Sequence, residues 1–218
     1  MNTFPDGLRL VMLGAGGHAR VLHALLVANG HELAGVCDPG FAAQGASVWL
    51  GVPVLGADDA LLKFPPSEVG VINGLGQLVG DSRRQELFRR FSGLGYSFPP
   101  LVHSAAWVAP GVILAPGVQV MAGAVIQPNC SIGANTIINT CAGIDHDCRI
   151  GAYVHIAPGA TLCGGVAVGD GVFVGAGATI IQGIAVGTQA VIGAGATVVR
   201  NLGDGSQVLG AAVRLHQH

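Results

Sequence analysis

Charge is scarce in this sequence, and aromatic rings are scarcer. Of 218 residues, 10% are Asp, Glu, Lys or Arg, 5% are Phe, Trp or Tyr, and the formal net charge is -2. No run of Lys and Arg exists to track a phosphate backbone or an anionic lipid surface. That argues against nucleic acid and membrane surfaces as partners and for a small molecule. Half of the residues are hydrophobic and the mean hydropathy is +0.59. Yet no window of about eighteen apolar residues escapes glycine, proline or polar punctuation, so no membrane-spanning helix is expected. Met1 to Gly7 has neither the basic nor the apolar region of a secretory signal, and the expected compartment is the cytoplasm. The five cysteines, Cys37, Cys130, Cys141, Cys148 and Cys163, form neither a secreted disulfide framework nor a metal-ligand spacing. His18, His23, His31, His103, His216 and His218 cluster no better, and no metal is expected.

What the sequence does have is glycine, 36 residues of it, and a six-residue rhythm. From Val102 to Val198 an aliphatic residue stands at every sixth position, seventeen times in one register: Val102, Val108, Leu114, Val120 and so on through Ile144, Ile150 and Ile156 to Ile192 and Val198. A second column of small or branched residues runs four places later, from Ala106 through Cys130, Ala142 and Cys148 to Leu202. A period of six fits neither a helix nor a hairpin meander. It fits a coil with three short flat faces, one hexad per face. A sandwich of short strands would need alternating polarity and a turn signal every eight to twelve residues, and neither is present. The reading is a parallel β-helix of between five and six coils, with the aliphatic column inside and the smaller column beside each corner. Gly111, Gly117, Gly133, Gly151, Gly169 and Gly187 are expected at tight turns that need positive φ. Cys130 and Cys148, one coil apart, are expected as stacked buried thiols.

Upstream, an apolar strand Leu8 to Leu13 runs into Gly14-Ala15-Gly16-Gly17-His18-Ala19-Arg20. A helix then shows in Val21, Leu22, Leu25 and Leu26. Such a turn lets a backbone approach a ligand and presents N–H groups to phosphate, though it also serves as a plain strand-to-helix connection. A second strand, Glu32 to Cys37, ends in Asp38-Pro39, where a Rossmann-like unit places a ribose-binding acid. Ala19 occupies the third glycine position of a dinucleotide fingerprint, which argues against a nicotinamide cofactor. Strand Val52 to Leu55, a helix near Ala57 to Leu62, strand Val69 to Ile72 with the loop Asn73-Gly74-Leu75-Gly76, and helix Asp81 to Phe91 complete a small α/β domain. Arg83 and Arg84 are either phosphate contacts or solvated helix charge. Phe98-Pro99-Pro100 marks the boundary. The expected division is 1–98, 99–202 for the β-helix, and a C-terminal cap over 203–218.

Within the ladder the only charged residues are Asp145, Asp147, Arg149, Asp170 and Arg200. Three of the five surround His146. Placed at a corner, its imidazole points outward and titrates near neutrality, and a neighbouring carboxylate, Asp145 or Asp147, fixes the tautomer a general base needs. The alternative is a surface histidine in an ordinary ion pair. His155 either lines the same cleft from another corner or is structural.

These residues together resemble the hexapeptide-repeat sugar O- and N-acetyltransferases, which join a nucleotide-sugar-binding α/β domain to a left-handed parallel β-helix. The resemblance spans the whole chain, Gly14 to Arg20 motif included. It implies a homotrimer with active sites between subunits, acetyl-CoA as acetyl donor, and a nucleotide-linked 4-amino-4,6-dideoxy sugar as acceptor, with GDP-perosamine favoured over a UDP-linked sugar. It implies His146 as base with Asp147 as partner, and His155, Gly164 and Gly165 near the acetyl thioester or pantetheine. Gly14, Gly16, Gly17, His18, Arg20, Asp38, Pro39 and Gly74 fall at the sugar-nucleotide site. O-acetylation of a sialic acid, and a non-catalytic scaffold, are the competing functions. One departure is the tail Gly210-Ala211-Ala212-Val213-Arg214, which lacks the family's proline and bears on the distal CoA contacts.

Overall fold

A computed structural model describes Phe4 and residues 8–210. The tail from Ala211 onward, and with it most of the expected cap and the departure in the tail motif, lies outside the described residues. The chain forms two compact units. One runs to Ser104 and takes in Pro116–Gln119, and the other holds Ala105–Ala115 and the chain from Val120 onward. The first unit therefore extends past the expected boundary at Pro99-Pro100.

In the first unit the order is β1 (Arg9–Leu13), α1 (Gly17–Ala28), β2 (Gly35–Cys37), α2 (Pro39–Ala43), β3 (Val48–Trp49), β4 (Val52–Gly56), β5 (Val69–Asn73) and α3 (Arg83–Gly93). The sheet order is β3-β4-β2-β1-β5. All pairs are parallel except the β3-β4 hairpin. The central strand β1 reads as a continuous apolar run because it is covered on both faces, and Leu10 to Leu13 are at most 4% exposed. α1 buries Ala19, Leu22, Leu25 and Leu26, a stripe at helical spacing. Each leucine so buried contributes roughly 1.5–3 kcal/mol.

Four elements differ from expectation. The helix expected near residues 57–62 is a 3-10 helix, Asp58–Lys63. Phe64 precedes Pro65 and is extended, at φ -113° and ψ 135°, so the tighter helix stops there. β2 begins at Gly35 rather than Glu32. α2 and β3, too short to carry a period, were not expected.

In the second unit every hexad contributes one two-residue strand ending on the aliphatic column, from Trp107–Val108 to Thr197–Val198. Each strand pairs in parallel with the strand three hexads away, as Val125–Ile126 does with Gly143–Ile144. The result is a three-faced parallel β-helix. From Val120 to Val198 the aliphatic column is 0–4% exposed, whereas Val108 and Leu114 are half-buried. The small column fills the remaining space: Cys130 and Cys148 are buried in successive coils, and Cys148 is pushed up to about 12 by burial.

Corners place one residue per hexad at positive φ, from Gly111 through Gly123, Asn129, Asn135, Cys141, Asp147, Tyr153, Gly159 and Gly165 to Gly195. Gly111 and Gly117 belong to this series as expected, but Gly133, Gly151, Gly169 and Gly187 do not. They are glycine for another reason. A Cβ on Gly133 would stand 2.4 Å from the Gly151 carbonyl carbon, and one on Gly187 would stand 2.4 Å from the Asp204 nitrogen. At that edge successive coils pass too close for any side chain.

Candidate active site

The corner that carries His146 is fixed from both ends. Ile144 and Cys148 are 1% and 0% exposed, so the three residues between them must lie outside the prism. The His146 side chain is 61% exposed and that of Asp147 is 53% exposed. Asp147 takes the left-handed conformation at φ 62°, which an Asp tolerates better than most residues. From there its Oδ2 lies 2.7 Å from His146 Nδ1. Its other oxygen accepts from the amide of Asn129, one coil earlier at φ 63°. Asp145 is engaged elsewhere, accepting the His146 backbone N–H at 2.8 Å. Of the two carboxylates, Asp147 is therefore the one that orients the ring.

The electrostatics follow from those bonds. Asn129's hydrogen bond, and then that of His146, hold the Asp147 carboxyl below its ordinary range. The Asp147 hydrogen bond, and then the charge of Asp145, raise the His146 imidazolium. An ionised carboxylate can only accept, so Nδ1 carries a proton and, in the neutral ring, Nε2 carries the lone pair. That is the tautomer of a general base. Gly164, expected at the acetyl group or pantetheine, lies against the ring. A Cβ there would stand 2.7 Å from His146 Cε1 and 2.8 Å from Nε2. Gly165 donates its N–H to the His146 carbonyl at 2.8 Å and sits at φ 71°.

His155 lies in a strand, not at a corner. It is 8% exposed, its Nε2 is 3.5 Å from Asn139 Nδ2, and its ring stacks on Phe173 at 4.9 Å and 23°. Beyond the His146 corner, on the face that begins with Arg149, a groove of about 550 Å³ runs past Gly151, Ala167, Gly169, Ala185 and Gly187 to Asp204. It exists because the outward residues there are alanines and the edge glycines have no Cβ. Neither Asn129 nor this groove was expected. The available signal was an Asn at the corner position one coil before Asp147, and alanines in strand positions one coil apart.

In the first unit a cavity of about 590 Å³ opens at the carboxyl ends of the parallel strands, lined by Gly14, Asp38, Pro39, Gly40, Asp58, Leu75, Arg83, Glu86, Leu87 and Arg90. Ligands collect at such ends because the loops diverge there. Gly14 has φ 92°, and a Cβ on it would strike Leu75 at 2.5 Å. Asp38 takes the backbone N–H of Ala15 on Oδ2 and that of Phe41 on Oδ1, both at 2.9 Å, so it ties the glycine turn to the start of α2. Gly16 caps α1 without a side-chain bond, the N–H groups of Gly16 and Gly17 make no hydrogen bond among the described residues, and nothing lies within 4 Å of where their Cβ atoms would be. That open, uncapped helix start suits an anion.

His18 Nε2 is 2.8 Å from Gln119 Oε1, while Gln119 Nε2 donates to the Asn73 carbonyl at 2.9 Å. The amide orientation makes Nε2 the protonated nitrogen of His18. Gly74 is required by packing, since a Cβ there would stand 2.7 Å from the Leu13 carbonyl oxygen. Arg20 is exposed on α1 and does not line the cavity. The two arginines of α3 part ways. Arg83 lines the cavity and pairs with Asp81 at 2.6 Å. Arg84, far from being solvated charge, is 3% exposed and donates to the carbonyls of Asn73 and Leu75 at 3.0 and 2.5 Å. Burial lowers its guanidinium to about 9.

Residues 129–164 match the bacterial transferase hexapeptide (six repeats) family, and residues 9–91 match the PglD N-terminal domain. Comparison with curated protein sequences gives no match. Among solved structures, a mutant of perosamine N-acetyltransferase from Caulobacter crescentus, in complex with CoA and GDP-perosamine, is 40% identical. Its TM-score is 0.83 over 93% of each chain. The acetyltransferase domain of PglB from Neisseria gonorrhoeae, in complex with acetyl coenzyme A, is 32% identical with a TM-score of 0.83, over 94% of this chain and 97% of that one. WeeI from Acinetobacter baumannii, 23% identical with a TM-score of 0.82 over 93% and 97%, shares the fold. That fold is an α/β domain joined to a left-handed β-helix.

Proposed function

We propose that this chain, which belongs to the hexapeptide-repeat sugar acetyltransferases with a PglD-type N-terminal domain, transfers the acetyl group of acetyl-CoA to the 4-amino group of a GDP-linked 4-amino-4,6-dideoxy sugar. GDP-perosamine is the favoured acceptor. The observation that carries this reading is the exposed His146–Asp147 pair, Asp147 Oδ2 standing 2.7 Å from His146 Nδ1 and leaving Nε2 to act on substrate, in a chain that is 40% identical to a perosamine N-acetyltransferase.

Acetyl-CoA supplies an activated acetyl carbonyl, and the protein supplies a proton acceptor and a held geometry. As the sugar amine bonds to the carbonyl carbon, His146 Nε2 takes the amine proton. As the carbon–sulfur bond breaks, the same nitrogen returns that proton to the departing thiolate, which leaves an amide and free CoA thiol. Asp147 stabilises the imidazolium between those two steps. The alanine and glycine groove beyond Arg149 fits an unbranched chain such as pantetheine. Gly14 of the glycine turn lines the other cavity, and the uncapped start of α1 that follows it suits the diphosphate of the acceptor.

The working protein is a homotrimer with active sites between subunits, and it acts in the cytoplasm. Among the described residues no helix is long and apolar enough to cross a membrane. The test is CoA-thiol release by the purified protein offered GDP-perosamine, a UDP-linked 4-amino sugar and free sialic acid side by side. Turnover with GDP-perosamine is expected. Release with sialic acid alone would move the reaction to O-acetylation, and silence with all three would make the chain a scaffold.

A further inference from the structure

The cavity of the first unit holds two carboxylates at the ends of neighbouring strands, and they do different work. Asp38, after β2, spends one bond from each oxygen on its own backbone. Asp58 stands two residues beyond β4, the strand that pairs with β2. Its half-buried carboxylate lines the cavity with no hydrogen bond or ion pair among the described residues. Burial, followed by the negative charge of Asp38, raises its pKa. Arg90 opposes this, but its guanidinium is paired with Asp59. A half-buried carboxylate in that condition is stabilised by whatever brings it N–H donors.

The sheet order states where along a bound nucleotide those donors would come from. The uncapped helix start that suits phosphate follows β1, Asp38 at the ribose position follows β2, and Asp58 follows β4, the next strand outward. Resting on the reading that a nucleotide-linked sugar occupies this cavity, we propose that Asp58 reads the nucleobase, accepting the ring N–H and the exocyclic amine of guanine together. Guanine is the one common base with two adjacent donors on one edge, the geometry that a carboxylate's two oxygens accept in parallel. Uracil offers a single N–H flanked by two carbonyl oxygens, which a carboxylate repels. Adenine sets a ring nitrogen acceptor beside its amine. The residue thus separates GDP-linked from UDP-linked acceptors.

The probes are free nucleoside diphosphates titrated calorimetrically into the full chain. A lost bidentate pair corresponds to about 10- to 100-fold in affinity. Wild-type protein is expected to bind GDP more tightly than inosine diphosphate, which lacks the exocyclic amine, and far more tightly than UDP. Asp58→Asn is expected to weaken GDP by about 10- to 100-fold. It should also gain affinity for xanthosine diphosphate, whose carbonyl replaces that amine and matches the new NH₂. This gain separates lost recognition from a failure to fold. An Asp58→Asn protein that still prefers GDP over xanthosine diphosphate, at wild-type affinity, overturns the assignment. So does a wild-type protein that binds GDP and UDP alike, with the acceptor cavity left standing. Wild-type protein that binds no nucleoside diphosphate overturns the cavity's role as well.

Discussion

The two units of this chain build their candidate sites by opposite means. In the β-helix the backbone repeats hexad after hexad, and chemistry is added by breaking the side-chain pattern at one corner. In the α/β unit nothing repeats, and the cavity arises where loops leave the ends of strands that are distant in sequence. At the corners from Asn129 to Tyr153 five successive left-handed positions hold non-glycine residues, and between Gly159 and Gly195 only Gln189 does. Side chains in that conformation carry a local cost of roughly 1–2 kcal/mol each. Among these five stand Asp147 and Asn129, which hold His146. A repeat therefore makes its own exceptions visible, whereas the α/β unit has no repeat against which Asp58 could stand out.

The largest test of this contrast removes the exception itself. His146→Asn should lower turnover by about 10²–10⁴-fold, the usual contribution of a positioned base, while its melting temperature stays at the wild-type value because the side chain is exposed. Wild-type turnover in that variant would sink the base assignment. A smaller effect is expected one residue on. Asp147 raises the His146 pKa, and an imidazolium cannot take a proton, so activity requires a pH above that raised value. In Asp147→Asn the imidazole loses its proton more readily. The acidic limb of the kcat/KM profile should move to lower pH while the plateau falls by about tenfold or more. An unmoved limb would show that the pair does not govern the titration. The smallest effect contrasts two glycines. Gly151→Ala pushes a Cβ to 2.8 Å from the backbone of the next coil and should destabilise by about 1–3 kcal/mol, read as a lower denaturant midpoint. Gly16→Ala meets nothing within 4 Å and should leave stability almost unchanged. Equal losses would mean that the coil spacing does not restrict Gly151.

Much of the β-helix is legible in the sequence, because burial in a prism obeys a strict count. The same count does not say why Gly133, Gly151, Gly169 and Gly187 are glycine. Sequence spacing marks a glycine, but whether positive φ or a neighbouring coil demands it depends on the distance to a residue about a coil away. His155 shows the same limit. Its sequence position suits either a corner or a strand, and the pairing of Ile137 with His155 put it in a strand, stacked on Phe173. In the α/β unit the strands and the glycine turn could be read from apolar runs. Arg84 could not, since its burial depends on the carbonyls of Asn73 and Leu75 turning toward it.

By itself the sequence determined the six-residue period, the buried columns, the corner that exposes His146 and the strand–glycine–helix start of the chain, because each depends on neighbours close along the backbone. Only the tertiary structure decided that Asp147 rather than Asp145 holds the ring, that Asn129 holds Asp147, that Gly164 lies against the imidazole, and that Asp58 shares a cavity with Asp38. The last three rest on hydrogen bonds and contacts between residues about eighteen or more positions apart, set by the stacking of coils and the order of strands, whereas the first is a bond between neighbours that the left-handed turn at Asp147 allows.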